Sequence, residues 1–250
     1  MKHLSHCNEQ NSGIADGATC SGSILAILFL TLSFPLVFSG CDDSSSSNTA
    51  LRQLDTLRTI QQVNTALADT SLHGKPVNLQ TTVTYYDPAW KLFMVQDHTE
   101  GMYLNPDSLK QSLAAGQKIH IEGTVATWAD GLHHLKIKPL EMDSLPSPAN
   151  RTIQQLQNKQ DINQWVEING TIHSASIQDH HLLLDIASGA HSITAQILHY
   201  PDQQFQTYVG AKIRIRGVCA LQINADGEAT DVQLYTPGLQ QIDNLQPAPD

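Results

Sequence analysis

Apolar and polar residues alternate over most of this chain beyond residue 75, and the period of two marks short strands. Val77, Leu79, Thr81 and Val83 share one face of a first strand, which the turn pair Asp87-Pro88 ends. Residues 92–97 and 101–104 read as a second and third strand, 118–126 as a fourth and 132–137 as a fifth. Between the third and fourth, residues 107–115 read as a helix with Asp107 as N-cap and Gly116 as its stop. The pattern then starts again. Strands are predicted over 166–172, 182–186, 192–198, 212–220 and 231–235, with a helix or turn over 202–208 and a turn from Asn224 to Gly227. Helical spacing precedes each set: Leu54, Leu57, Ile60, Val63 and Leu67 before the first, stopped by His73-Gly74, and a shorter stretch over 151–162 before the second.

The chain also repeats itself in letters. Arg58-Thr59-Ile60-Gln61-Gln62 recurs as Arg151-Thr152-Ile153-Gln154-Gln155, and residues 116–123 recur as 210–217, at offsets of 93 and 94. A period of that length means two tandem domains, not a solenoid. Three strands, a short helix and two strands is the order of the OB fold, a five-stranded Greek-key barrel. The predicted fold is therefore mainly β: two tandem OB-fold-like five-stranded barrels, each preceded by a short helix. Gly123 and Gly217, each within a fourth strand, suit the bend that lets one strand serve both sides of a small barrel. The expected layout is a signal peptide over 1–40, a polar tether over 41–50, a first barrel with its helix over 51–148 and a second over 149–250.

The signal assignment rests on residues 24–38, an apolar run interrupted by Pro35 and shorter than the ~20 residues of a membrane helix. Ser39-Gly40-Cys41 follows it and resembles the bacterial lipobox. The resemblance implies that Cys41 is acylated, becomes the mature N-terminus and anchors the protein, since two or three acyl chains hold stably. Asp42 after the cysteine favours the inner membrane by the same resemblance. Residues 44–48 form a short spacer.

Charge narrows the partners. The chain has 24 Asp plus Glu against 14 Lys plus Arg. Without residues 1–40, which carry Glu9, Asp16 and Lys2, 22 acids stand against 13 bases. Nucleic acid is held largely by phosphate neutralisation. The densest basic pairs, Lys136 with Lys138 and Arg214 with Arg216, read as solvated strand faces, so nucleic acid is not an expected partner. Past Cys41 only Cys219 remains, in an apolar run, and it reads as a small buried hydrophobe.

No pattern announces catalysis. Twelve histidines include the adjacent pairs His133-His134 and His180-His181, but neighbours on a strand point to opposite faces, and no metal-binding spacing is present. These histidines read as polar side chains that face solvent, and neither metal nor cofactor is expected. Asp87, Asp97, Asp130, Asp185 and Glu122 are scattered carboxylates that spacing alone does not pair. Aromatic residues are the better clue. Tyr85, Tyr86 and Trp90 cluster with Phe93 at the first hairpin, and Trp128 follows the fourth strand. OB folds bind oligomeric ligands on the strand 2–3 face and adjoining loops, which makes Tyr85, Tyr86, Trp90 and Trp128 the candidate ligand-binding residues. Trp90, between Pro88 and Lys91 at a turn, is the one expected to be most exposed. Repeat two has no such cluster, and Trp165 reads as packing.

Residues 83–88, 92–97 and 209–220 resemble a paired extracytoplasmic OB-like module, and Asn224 with Gly227, residues 232–234, Pro237 and residues 247–249 continue the likeness. That module forms the N-terminal sensory region of certain bacterial histidine kinases. The resemblance covers residues 57–250 and implies the architecture and an extracytoplasmic place, with signalling output supplied by a separate protein. It assigns no binding residue. The expectation is a membrane-anchored binding or adaptor lipoprotein, not an enzyme, that recognises a periplasmic protein such as a sensor kinase. The alternatives are glycan or small-ligand binding through the first hairpin and, more weakly, a nucleic-acid-binding OB protein or a hydrolase.

Overall fold

The repeated pentapeptide is a pair of capping boxes. The computed structural model describes residues 55–109, 111–127, 131–201, 205–224 and 226–248. Expectations placed on residues 1–54, including Cys41, and on Trp128 and Asp130 lie outside the described residues. The Thr59 side chain accepts the Gln62 N–H, and Gln62 Oε1 accepts the backbone N–H groups of Thr59 and Arg58, which starts helix α1 (Ile60–Ala68). Ile60, Val63, Ala66 and Leu67 on its inner face are buried in the first barrel. The predicted helix was to extend back through Leu57, but the cap forbids it. Thr59 is extended, and Leu57 bridges Val77 in parallel.

The first barrel continues with β1 (Pro76–Asp87), β2 (Leu92–Gln96), β3 (Gly101–Tyr103), β4 (Gln117–Val125) and β5 (Leu132–Met142). The second has a leading strand β6 (Ala149–Asn150), helix α2 (Ile153–Gln157), then β7 (Trp165–Gln178), β8 (His181–Ser188), β9 (His191–His199), β10 (Lys212–Ile223), β11 (Ala229–Gly238) and β12 (Ile242–Gln246). Thr152 and Gln155 repeat the capping box, and Ile153 and Leu156 enter the second core. The parallel bridge before α1 recurs as β6 against β7. The protein is thus two tandem OB folds, each led by a short helix.

The predicted helix over 107–115 is reduced to one 3₁₀ turn, Pro106–Ser108, capped by Asn105. Its counterpart is the 3₁₀ turn Phe205–Tyr208. A stretch that short does not sustain a helix without a face to bury, and α1 already supplies Val63 and Leu67 to this core. Leu109 and Leu113 still pack inward without helical structure.

The two barrels close differently. In the second, β7–β8, β8–β9, β9–β11, β11–β10 and β10–β7 are all paired, the β9–β11 contact in parallel, so the barrel is shut. In the first the order is β3-β2-β1-β4-β5, with no pairing between β3 and β5 among the described residues. The cause is a short insertion. β5 follows β4 along its whole length, from Val125↔Leu132 to Gln117↔Met142. β11 instead pairs with β9 from Gln233 onward and leaves β10 after Tyr235, and the 3₁₀ turn Leu239–Gln241 returns the chain as β12 to the vacated half of β10. Gly217 sits where β10 passes between these partners. A Cβ there would lie 2.9 Å from the Tyr235 carbonyl oxygen, and one on Gly123 would lie 2.9 Å from that of His133. Strand β12 and the second half of β5 were not predicted, because their polar residues face solvent on both sides.

Three apolar clusters result: one per barrel and a third between them. Cys219 is fully buried in the second. Burial, with Asp161 nearby, pushes its thiol up to about 12, so a maleimide at pH 8 is expected to label it only after unfolding in urea. Thr59→Ala and Thr152→Ala each remove a cap and are expected to cost about 1 kcal/mol in urea unfolding, at unchanged denaturant slope.

Candidate functional site

The first hairpin is shaped by its own aspartate. Asp87 Oδ1 accepts the Ala89 N–H at 2.9 Å and the Trp90 N–H at 3.4 Å, and Lys91 closes the turn at φ 56°. This turn delivers the Trp90 ring to the second barrel, where it stacks on the His181 imidazole, centroids 3.7 Å apart and planes at 27°. His181 opens β8 after a turn in which Asp179 and His180 both have positive φ, the hairpin geometry that suits strand twist. Its Nδ1 lies 2.9 Å from the Asp179 carbonyl oxygen and its Nε2 2.8 Å from Asp87 Oδ2. A carbonyl only accepts, so Nδ1 carries a proton. The two side chains are 2% and 3% exposed.

Around this pair the barrels are welded. Tyr85 packs on Tyr235 with centroids 5.1 Å apart, and Met94, Trp165, Val218 and Ala220 complete the buried seam. The Trp165 N–H donates to Gln96 Oε1 at 2.7 Å. At Gly101 the backbones nearly touch, since a Cβ would lie 1.8 Å from the Asn163 carbonyl oxygen. A polar thread lies alongside: Gln196 Nε2 donates to Gln233 Oε1 and Gln233 Nε2 to the Tyr235 hydroxyl. Desolvation, reinforced by Asp87, raises the Tyr235 hydroxyl to about 12 and the Tyr85 hydroxyl further still.

The candidate ligand residues therefore do not form one platform. Trp90, predicted as exposed, is half-buried in the seam. Tyr85 is fully buried there, where a ligand does not reach it. Tyr86 points the other way along β1, its ring edge-on to Phe93 at 5.8 Å, and borders a hollow of about 170 Å³ with Leu113, Leu198 and Pro237. The outer surface of β2, with Leu92, Met94 and Gln96, is the strand 2–3 face that a lone OB fold offers to ligands, and here it is turned toward the second barrel. In this arrangement the first hairpin does not present Tyr85 and Trp90 together on an open face. The matching face of the second barrel carries Ser174, Ser176, Leu183 and Asp185, and the His181 ring at its end is already stacked on Trp90.

His181 is the residue the sequence reading missed. Its surface default fails, and nothing local could have paired it with an aspartate 94 positions away. Asp97, a scattered carboxylate by sequence, holds α1 to the barrel. Burial raises its carboxyl, but bonds from Thr99 and from the backbone N–H groups of Ile60, Glu100 and Thr99 leave it below the usual range. Trp165 packs as expected, at 1% exposure. The Arg216 guanidinium is held by Glu167 at 2.8 Å and Asp243 at 2.7 Å. Lys136 and Lys138 lie on the exposed side of β5. Among the described residues no three His, Cys, Asp or Glu side chains converge as a metal site would require.

Two equivalent clefts remain open. One, of about 580 Å³, runs between Gln80, Thr82, Gln96, His98 and Lys118 of the first barrel and residues 140–147, the end of β5 and most of the segment that follows it. The other, of about 410 Å³, is bordered by Asn169, Thr171, His173, Ser188, Lys212 and Leu245.

No protein-family model matches the sequence, and no curated protein matches it. Among solved structures, the chain is similar to an aspartyl-tRNA synthetase from Entamoeba histolytica (12% identity, 41% of this chain and 22% of that one, TM-score 0.32). It is also similar to an asparaginyl-tRNA synthetase from Pyrococcus horikoshii (12% identity, 39% and 23%, TM-score 0.30). A murine DNA-binding protein bound to double-stranded DNA is matched at 13% identity over 69% of this chain and 99% of that one, TM-score 0.33. The chain spans less than a quarter of the length of the synthetases it matches.

Removing one member of a buried pair strands the other, at a typical cost of 3–5 kcal/mol. Asp87→Ala and His181→Ala are each expected to lower unfolding stability by about that much, and the double variant by clearly less than the sum. A strictly additive urea double-mutant cycle would show that the two groups do not interact.

Proposed function

We propose that this protein is an extracytoplasmic binding module, held at a bacterial membrane by acyl chains on Cys41, that recognises a protein partner and carries out no bond chemistry. The observation that carries this reading is the seam. The face a single OB fold would offer to an oligomeric ligand is spent on joining the two barrels, so recognition falls to the outer surface of one rigid body. The acid balance of the chain speaks against a phosphate backbone. The likeness to the sensory region of histidine kinases makes an envelope signalling protein, such as a sensor kinase, the partner of choice, and Asp42 favours the inner membrane.

Two measurements test the reading. Labelled palmitate is expected in the wild-type protein and not in Cys41→Ser, which should leave the membrane fraction; label retained in the variant overturns the anchor. Cross-linking in intact cells, followed by affinity capture, is expected to yield one envelope protein in fixed ratio, and Gly101→Ala, which forces the barrels apart, is expected to abolish its capture. Recovery of the chain alone, or capture indifferent to Gly101→Ala, overturns the rigid-body reading.

A further inference from the structure

Most residues that the two copies share have a structural duty. Thr59 and Thr152 cap helices, Gly116 and Gly210 take φ of 88° and 92°, and Ile119 and Ile213 are core. One shared pair has no duty common to both copies. Thr82 stands opposite Lys118 across β1 and β4, and Thr171 opposite Lys212 across β7 and β10. Both pairs border the equivalent clefts. Both copies also carry a register shift at the same step, between Gln117 and Ile119 and between Lys212 and Ile213, which makes Asn244 the counterpart of Pro139 and Leu245 that of Leu140.

The lysine is kept, but its acid is not. In the first barrel the connecting segment lies along the cleft, its backbone held by the Asp143 N–H on the Gly116 carbonyl oxygen at 2.9 Å. Asp143 Oδ2 sits 2.6 Å from Lys118 Nζ, each side chain 43% exposed. By the shared register Ala248 takes the place of Asp143 in the second barrel, and among the described residues no acidic one borders that cleft. Two residues along the same strand face, Arg214 Nε is shielded from solvent, 3.5 Å from Glu167 and without a hydrogen-bond partner among the described residues. With Arg216 alongside and Glu167 and Asp243 facing the arginines, this strand face carries three bases against two acids.

We propose that the cleft bordered by Thr171 and Lys212 binds an extended, carboxylate-bearing peptide segment of the partner, as residues 141–147 lie in the first cleft with Asp143 on Lys118. The inference rests on the partner-binding reading and names the site and chemistry of that contact. Lys212 provides the ion pair. Asn169, Thr171 and Ser188 offer hydrogen bonds to peptide groups, and the exposed Leu245 offers an apolar shelf, as Leu140 does in the first cleft. An ion pair at an exposed site contributes at most about 1 kcal/mol, so Lys212 sets preference for an acid more than overall affinity.

The probe is a synthetic peptide with the sequence of residues 140–148, titrated into the full ¹⁵N-labelled chain. Shifts are expected at the amides of Thr171, Ser188, Gly189 and Lys212. Binding is expected to weaken about fivefold when the peptide carries Asn in place of its Asp, and equally in Lys212→Met. Lys212→Arg is expected to retain binding, and Lys118→Met to leave it unchanged. Shifts confined to the first cleft, equal affinity for both peptides, or the same shifts from acetate at matched concentration overturn the proposal. If cross-linking captures a partner equally well with Lys212→Met, the site assignment fails and the partner reading stands. If no partner is captured although the peptide binds, the partner reading fails on its own.

Discussion

A buried Asp87–His181 pair has to be solvated by the protein itself, and this requirement orders much else in the structure. Neither side chain tolerates burial alone, because an isolated charge in an apolar seam is far more costly than a matched one. The two groups come from different barrels, so the pair is satisfied only when the barrels are docked. The turn held by Asp87 Oδ1 places Trp90 over the imidazole, where a ring face offsets part of the lost hydration. Tyr85, Tyr235 and Trp165 then exclude water from the rest of the interface. A polar pair contributes specificity of register here more than strength, since apolar contacts alone slide where a 2.8 Å bond does not.

Duplication explains the parts, and divergence explains the whole. Both copies keep the capping box, the leading parallel bridge and the bend at Gly123 or Gly217. They differ at most of the positions that make the seam. The anchors Tyr85, Asp87, Leu92 and Met94 of the first barrel correspond to Ser174, Ser176, Leu183 and Asp185 of the second. Ser174, Ser176 and Asp185 make the corresponding face of the second barrel more polar. The closure of the second barrel by residues 236–241 fits the same division of labour, since the first barrel shares its apolar burden with a neighbour.

Much of this was legible in the residues. Strand alternation, the fixed offset of the repeats and the glycines within the fourth strands identified two OB folds, because each of these is a local consequence of packing against one core. Cys219 and Trp165 were legible for the same reason. What the sequence did not disclose depends on partners far away in the chain. His181 looks like a surface histidine until Asp87 is brought to it. Trp90 looks exposed because a hairpin tip usually is, and only the second barrel covers it. The helix over 107–115 had the right cap and stop residues, but Leu109 and Leu113 reach the core from backbone that is not helical. Strand β12 pairs with half of β10 only because β11 departs, an event several strands removed from its own letters.

The connection between β5 and β6 is six residues long, 143–148. A leash so short holds each barrel near its mate at millimolar effective concentration or above, so the two faces meet as an intramolecular event. Contacts too feeble to join two free barrels in solution are then ample, and selection has had little reason to enlarge the seam. Cut at that leash, the halves would have to find each other by diffusion, each with a face shaped for a mate it had never before needed to search for.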